Sequence, residues 1–178
     1  MDEGPVRAGD RALDALPTPG HTVGHLVFRD AAASMLFAGD HVLPHITPSI
    51  GFEPAPPVLP LGEYIRSLEL VRRLPDTRLL PAHGHVTRSV HDRVDELLAH
   101  HDDRLESTLV AVLPGEPASA HEVAGRLLWT RRARPLGRLS PVNRMLAVLE
   151  TAAHLDLLVA RSLLRSDPTD GVRRYARS

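Results

Sequence analysis

The chain of 178 residues contains no cysteine, no lysine and no glutamine, and aromatic residues make up only 3% of it. The lack of cysteine excludes disulfides, thiolate zinc sites and cysteine nucleophiles. The lack of lysine excludes Schiff-base chemistry and a phosphate-binding P-loop lysine. No stretch approaches the ~20 consecutive apolar residues of a membrane-spanning helix, so we expect no membrane partner.

The remaining composition is that of a globular protein, with 43% hydrophobic and 24% charged residues. All 21 basic residues are arginine, and the formal net charge is −1. The segment Met1–Ala12 is polar and has no apolar core of a signal peptide, which predicts a cytoplasmic protein. The length corresponds to one domain or two small ones.

Strands alternate with a helix in the first half of the chain, which favours an α/β fold. Apolar runs predict strands over residues 11–16, 25–29, 35–38 and 78–81. Apolar residues at helical spacing predict a helix over 61–74, and the proline-rich segment His41–Pro60 predicts a long loop. Polar motifs follow several of the strands, and ligand sites of α/β folds lie at such strand ends.

The second half of the chain predicts helices followed by a hairpin. Helices are expected from Ser89, from the capping box Ser119–Glu122 through Trp129, and from Ser140. Two short runs, 159–165 and 172–177, flank the turn at 167–171. Three helices and a hairpin are the order of a winged-helix domain. We therefore predict two domains, residues 1–88 and a mainly helical, winged-helix-like domain over residues 89–178.

Three motifs carry the chemistry of the first half. They are Thr-Pro-Gly-His-Thr-Val-Gly-His at 18–25, Leu-Phe-Ala-Gly-Asp-His at 36–41 and Leu-Pro-Ala-His-Gly-His at 80–85. Imidazole and carboxylate donors suit a borderline metal such as zinc. A carboxylate can bridge two cations, so we predict metal ligation by His21, Asp40 and His83, with Asp40 as the bridge. The alternative is that these are loop residues with structural hydrogen bonds.

The order and spacing of the three motifs resemble the metallo-β-lactamase superfamily of hydrolases, and most closely its glyoxalase II-like and β-lactamase-like-protein-2 branches. The resemblance implies an αβ/βα sandwich, with residues 1–88 as its second half. It implies two zinc ions in an intact active site, or other divalent metals, held in part by His21, Asp40 and His83. His25 and His85 are expected beside the ligands. A metal-bound hydroxide would attack an ester, thioester, lactone or phosphodiester.

The same resemblance implies a His-x-His-x-Asp-His motif, which this sequence does not contain. We therefore expect a truncated hydrolase that is inactive or nearly so as an isolated chain. The expected substrate of the intact enzyme is a small ester or thioester. A half-sandwich would leave a sheet edge and an apolar face uncovered, which favours association into a homodimer.

An arginine-rich tract in the second half supports a different function. No acidic residue lies between Val123 and Leu149, and Arg131, Arg132 and Arg134 fall within this segment. Arginine side chains bind phosphates, so the alternative prediction is a winged-helix remnant that binds nucleic acid or a partner without catalysis. The net charge of −1 and the scarcity of aromatic residues instead favour a solvated face.

Overall fold

A computed structural model of the chain describes residues 4–54, 58–85, 89–130 and 132–178. These residues form a mixed α/β structure, as predicted. The chain divides into two compact units, Met1–Ser49 with Glu53–His100, and Ile50–Phe52 with His101–Ser178. None of the described helices is both long enough and apolar enough to cross a membrane.

A five-stranded sheet forms the first unit. Neighbouring strands pair in chain order, antiparallel except for the last, parallel pair. The strands are Gly4–Ala8 (β1), Arg11–Pro17 (β2), Leu26–Asp30 (β3), Met35–Gly39 (β4) and Arg78–Pro81 (β5). The four predicted strands are thus confirmed. β1 was not predicted, because its five residues Gly-Pro-Val-Arg-Ala are mostly exposed and carry little apolar pattern.

A helix, Pro60–Arg73 (α1), connects the two parallel strands, in agreement with the predicted helix. Pro60 lies in the first turn of α1. Proline suits this position because the backbone N–H groups of the first turn have no acceptor within the helix, so the N–H that proline lacks is not missed. Its fully buried side chains are Leu61, Tyr64 and Leu68. Ile65, the next residue, is only half-buried.

The described part of the segment between β4 and α1 has no regular secondary structure, as predicted. Its first part is held by Arg93, a buried side chain on a long helix, Val90–Ala111 (α2). The Arg93 guanidinium donates to the carbonyls of Leu43, at 2.6 Å, and Ile46, at 3.0 Å. Charge-assisted hydrogen bonds from Arg93 to two main-chain carbonyls thus hold the part of the loop that follows Asp40 in the chain.

The boundary between the two units lies within α2, between His100 and His101. The predicted boundary at residues 88 and 89 lies at the start of this helix instead. The apolar positions of α2 continue without a break from one unit to the other: Val94 and Leu97 lie in the first unit, Leu105 lies in the second, and all three are buried.

The second unit combines two helices with short strands. Its main sheet has the order β6, β10, β9. The elements are Ala118–Ser119 (β6), Ala120–Arg126 (α3), Leu128–Trp129 (β7), Arg134–Pro135 (β8), a 3₁₀ turn at Leu136–Arg138, Pro141–Ala160 (α4), Leu164–Thr169 (β9) and Val172–Arg177 (β10). The predicted caps are confirmed, because Ser119 and Ser140 accept hydrogen bonds from the backbone N–H groups of Glu122 and Asn143. The hairpin β9–β10 follows the last helix, as predicted.

The helix predicted to run through Trp129 ends earlier, at Arg126. Trp129 lies in β7 instead, and its indole N–H donates to the Ala124 carbonyl at 3.0 Å. The ring is 7% exposed and has the Arg104 guanidinium 3.9 Å from its centre. Trp129 is therefore a core residue. Its apolar side chain fits the helical spacing of α3, so the spacing alone could not show that the helix ends before it.

Candidate metal site

Three loops meet at one edge of the five-stranded sheet. Antiparallel pairing brings the end of β2 beside the start of β3, and the start of β3 beside the end of β4. β4 and β5 are parallel, so both end at this same edge. The loops that carry His21, Asp40 and His83 follow β2, β4 and β5 respectively. The sheet topology thus places all three motifs at one site.

Asp40 and His83 are brought together by these parallel strand ends. The His83 Nε2 lies 3.5 Å from the Asp40 Oδ1, and the Ala82 N–H donates to the Gly39 carbonyl at 2.9 Å, which ties the two loops to each other. Two ligands of one tetrahedral zinc, each about 2.0–2.2 Å from the metal, lie about 3.4 Å apart. The observed separation therefore fits a pair of donors on one cation.

His21 is fixed by a main-chain acceptor. Its Nδ1 lies 2.8 Å from the carbonyl oxygen of Ser49. A carbonyl can only accept, so Nδ1 donates to it and Nε2 is the ring nitrogen left to bind a metal when the imidazole is neutral. Hydrogen bonding of one ring nitrogen to a carbonyl is how metal-binding histidines are commonly oriented. No sequence signal points to Ser49, because its contribution is a backbone carbonyl rather than a side chain.

His25 lies against Gly39, the residue that precedes Asp40. Its Nδ1 is 2.9 Å from the hydroxyl of the fully buried Thr18, and a Cβ at Gly39 would come within 2.8 Å of its Nε2. Burial lowers the pKa of His25, as does the neighbouring His21, while Asp40 opposes the shift. His25 is thus electrostatically coupled to both motifs, consistent with its predicted place beside the ligands.

His41, the last residue of the motif at 36–41, is a buried imidazole. Its side chain is fully buried, and neither ring nitrogen makes a well-aligned hydrogen bond among the described residues. The ring centre lies 5.8 Å from that of His25 and 5.1 Å from that of Tyr64. Burial lowers the pKa of His41 to about 3; His25 contributes to the lowering and the Ser67 backbone opposes it. His41 is therefore neutral at physiological pH.

The predicted trio is assembled only in part. Within the ranges that the structure describes, no group of three or more His, Asp or Glu side chains is close enough to hold a metal ion. Asp40 and His83 are paired, and His21 lies at the same sheet edge with its Nε2 available. His85 is exposed. The donors present fit a zinc ion chemically, and the ligation by all three stays a prediction.

The arginine-rich segment lies in the other unit. Arg131 falls outside the described residues, while Arg132 and Arg134 are exposed. Among the described side chains, neither of these two takes part in an ion pair. By contrast, Arg126 and Arg174 are paired with Glu116 and Glu122. Arg132 and Arg134 therefore remain available to an external anion.

Residues 3–83 match the family model described as the metallo-beta-lactamase superfamily. The chain is 36% identical to the lactamase-like protein nscB of Aspergillus fumigatus over 110 residues, which are 61% of this chain and 31% of that protein. It is 29% identical over 151 residues to the beta-lactamase-like protein 2 homolog of Caenorhabditis elegans, covering 82% of this chain and 48% of that protein.

Two solved structures match the whole chain. A beta-lactamase domain protein from Burkholderia ambifaria superposes with a TM-score of 0.86 at 34% identity, over 100% of this chain and 51% of that one. A metallo-beta-lactamase family protein from Thermus thermophilus gives a TM-score of 0.82 at 28% identity, over 100% of this chain and 53% of that one. The chain thus spans between about a third and a half of the length of these relatives.

Proposed function

Because the chain belongs to the metallo-beta-lactamase superfamily of hydrolases, we propose that its first unit supplies part of the metal site of such an enzyme. His21, Asp40 and His83 would hold the metal, with Asp40 as the bridging carboxylate of a two-metal site. The metal, when bound, supplies Lewis-acid stabilisation and a hydroxide at neutral pH. The substrate class would be a small ester or thioester, with a lactone or a phosphodiester as alternatives.

The separation of 3.5 Å between the Asp40 Oδ1 and the His83 Nε2 is the observation that carries this proposal. An ordinary surface pair of Asp and His needs no further metal-binding side chain nearby, whereas a metal site does. Here His21 lies at the same sheet edge and uses Nδ1 to donate to the Ser49 carbonyl, so Nε2 is the nitrogen that a metal could bind. Two donors of metal-binding type are therefore paired, and a third lies on a loop at the same edge of the sheet, which supports the proposal.

Zinc is the metal that this donor set favours. The site offers imidazole nitrogens and a carboxylate, which bind zinc, and the sequence has no cysteine to provide a thiolate. Zinc is also typical of the superfamily. Around the donors, the Thr18 hydroxyl and the Ser49 carbonyl orient His25 and His21, which pre-organises the imidazoles before any ligand is present.

The metal content of the purified 178-residue chain tests the proposal. After dialysis against zinc, elemental analysis should find about one zinc per wild-type chain, and His83→Ala should retain less than about a tenth of it, since a ligand is removed. His85→Ala is the matched control, because His85 is an exposed histidine two residues away, and it should keep the wild-type content. A metal-free wild type, or equal loss in both variants, would count against the site.

We expect little or no turnover by this chain alone, since its sequence has no His-x-His-x-Asp-His motif. Robust zinc-dependent hydrolysis of an ester or thioester by the purified chain would overturn that expectation. Chelation by EDTA should then abolish the activity if the metal is the source of the hydroxide.

A second candidate function is nucleic-acid binding by the winged-helix-like second unit. It rests on the exposure of Arg132 and Arg134 and on their freedom from ion pairs among the described side chains. If the two arginines bind phosphates, RNA affinity should fall steeply with salt, and Arg132→Ala/Arg134→Ala should reduce the salt dependence by about two ionic contacts. His83→Ala should leave RNA binding unchanged. Absence of binding at low salt would exclude this function.

A further inference from the structure

We propose that Tyr64 is a positioning residue that locks together the loop of His21 and the loop of Asp40. The inference rests on the proposed function for its purpose, since the two loops matter as carriers of metal ligands. The lock itself is a property of the fold. Tyr64, a residue of α1 with a fully buried side chain, contacts both loops: its hydroxyl and ring contact the loop of Asp40, and its backbone contacts the loop of His21.

The hydroxyl and the ring of Tyr64 act on the loop of Asp40. The Tyr64 O–H donates to the main-chain carbonyl of His41 at 2.9 Å. The two rings also meet edge to face, with centres 5.1 Å apart and planes at 72°, a favourable arrangement for aromatic groups. His41 directly follows Asp40, so these contacts fix the chain at the residue next to the carboxylate.

The backbone of Tyr64 acts on the loop of His21. At Gly20, a Cβ would lie 2.4 Å from the Tyr64 Cα, which means that the loop runs directly against the helix backbone. One turn further along α1, the Ser67 hydroxyl donates to the Pro19 carbonyl at 2.9 Å. The helix therefore holds residues 19 and 20, and Gly20 immediately precedes His21.

A rigid helix that holds both loops sets the separation of their ligands. Neither loop has regular secondary structure at the ligand, so neither can fix its own position through a strand ladder. A metal site is strongest when its donors are held in place before the metal arrives. Tyr64 serves this purpose for His21 and Asp40 without being a ligand itself.

Tyr64→Phe tests the lock, because it removes the hydroxyl and keeps the buried ring. Hydrogen exchange of the chain in EDTA should become about five- to tenfold faster in residues 40–45, as expected for the loss of one buried hydrogen bond. Residues 18–25 should keep their wild-type protection in this variant, because they contact the backbone of residue 64 and the Ser67 hydroxyl, and Ser67→Ala should loosen them instead. Strands β3 and β4 should keep their wild-type protection. The matched control is Tyr175→Phe, which removes a hydroxyl that donates to Asp156 at 2.8 Å in the other unit, and it should leave both loops unchanged.

Unchanged exchange of residues 40–45 in Tyr64→Phe, unchanged exchange of residues 18–25 in Ser67→Ala, or equally faster exchange throughout β3 and β4 would overturn the lock. Zinc titration is the second readout: Tyr64→Phe should bind zinc about tenfold more weakly than wild type, and Tyr175→Phe should bind normally. Wild-type affinity in Tyr64→Phe would contradict its positioning role. A wild-type chain that binds no zinc would count against the proposed function alone, because the exchange experiment decides the lock in the absence of metal.

Discussion

Alanine at position 20 should destabilise the chain by more than about 4 kcal/mol, a cost that few single substitutions reach. A Cβ at Gly20 would lie 2.4 to 2.5 Å from the Cα, Cβ and backbone nitrogen of Tyr64. These atoms belong to a buried helix turn and cannot move away as the end of a flexible side chain could. Gly20 also has a φ of +132°, which strains any residue with a side chain.

Gly24→Ala is the matched control for this prediction. Gly24 lies in the same loop, but a Cβ there would have no atom within 4 Å and its φ is not positive. Its replacement should change the stability by less than about 1 kcal/mol, because alanine fits that backbone. Urea unfolding followed by circular dichroism measures both variants. Equal stabilities would show that the His21 loop does not pack against α1 as described.

The stability of the metal-free chain should fall as the pH decreases below about 6.5. Burial, as the main cause, lowers the pKa of His41 from 6.5 in the unfolded chain to about 3 in the folded one. Between these values the unfolded state binds the additional proton, so acid favours unfolding. The loss is up to about 1.4 kcal/mol per pH unit, or about 2 kcal/mol from pH 6.5 to pH 5. The lowered pKa of His25 acts in the same direction.

Unfolding in urea at pH 7.5, 6.5 and 5.0, with EDTA present, measures this dependence. His41→Leu removes the titrating group and should lose clearly less stability over the same interval. His121→Gln replaces an exposed histidine on α3 and should follow the wild type. If His41→Leu keeps the full wild-type slope, the proton is taken up at another group and His41 is not the source.

The sheet and its helix were predictable because their signals are local. β2 to β5 and α1 appear in the sequence as apolar runs or helical spacing, bounded by proline and glycine. The unit boundary was not predictable in this way. It falls inside α2, where one continuous helix contributes residues to both units, and no change of composition accompanies it.

The motifs of the candidate site could be recognised in the sequence, whereas the contacts that hold their loops could not. His21, Asp40 and His83 stand in motifs, and the structure places all three loops at one sheet edge. The contacts that hold them come from residues far away in the chain, such as the Ser49 carbonyl and the Tyr64 hydroxyl. Such contacts depend on tertiary packing, which spacing along the sequence does not encode.

The ring nitrogens of the histidines test the central claim most directly. Long-range proton–nitrogen NMR spectra distinguish Nδ1 from Nε2 for each of the 11 histidines. One equivalent of zinc added to the metal-free chain at pH 7 should shift the Nε2 resonances of His21 and His83, while Nδ1 of His21 stays protonated against the Ser49 carbonyl. Unchanged spectra, or zinc shifts confined to other histidines such as His45 and His91, would contradict a metal site at Asp40.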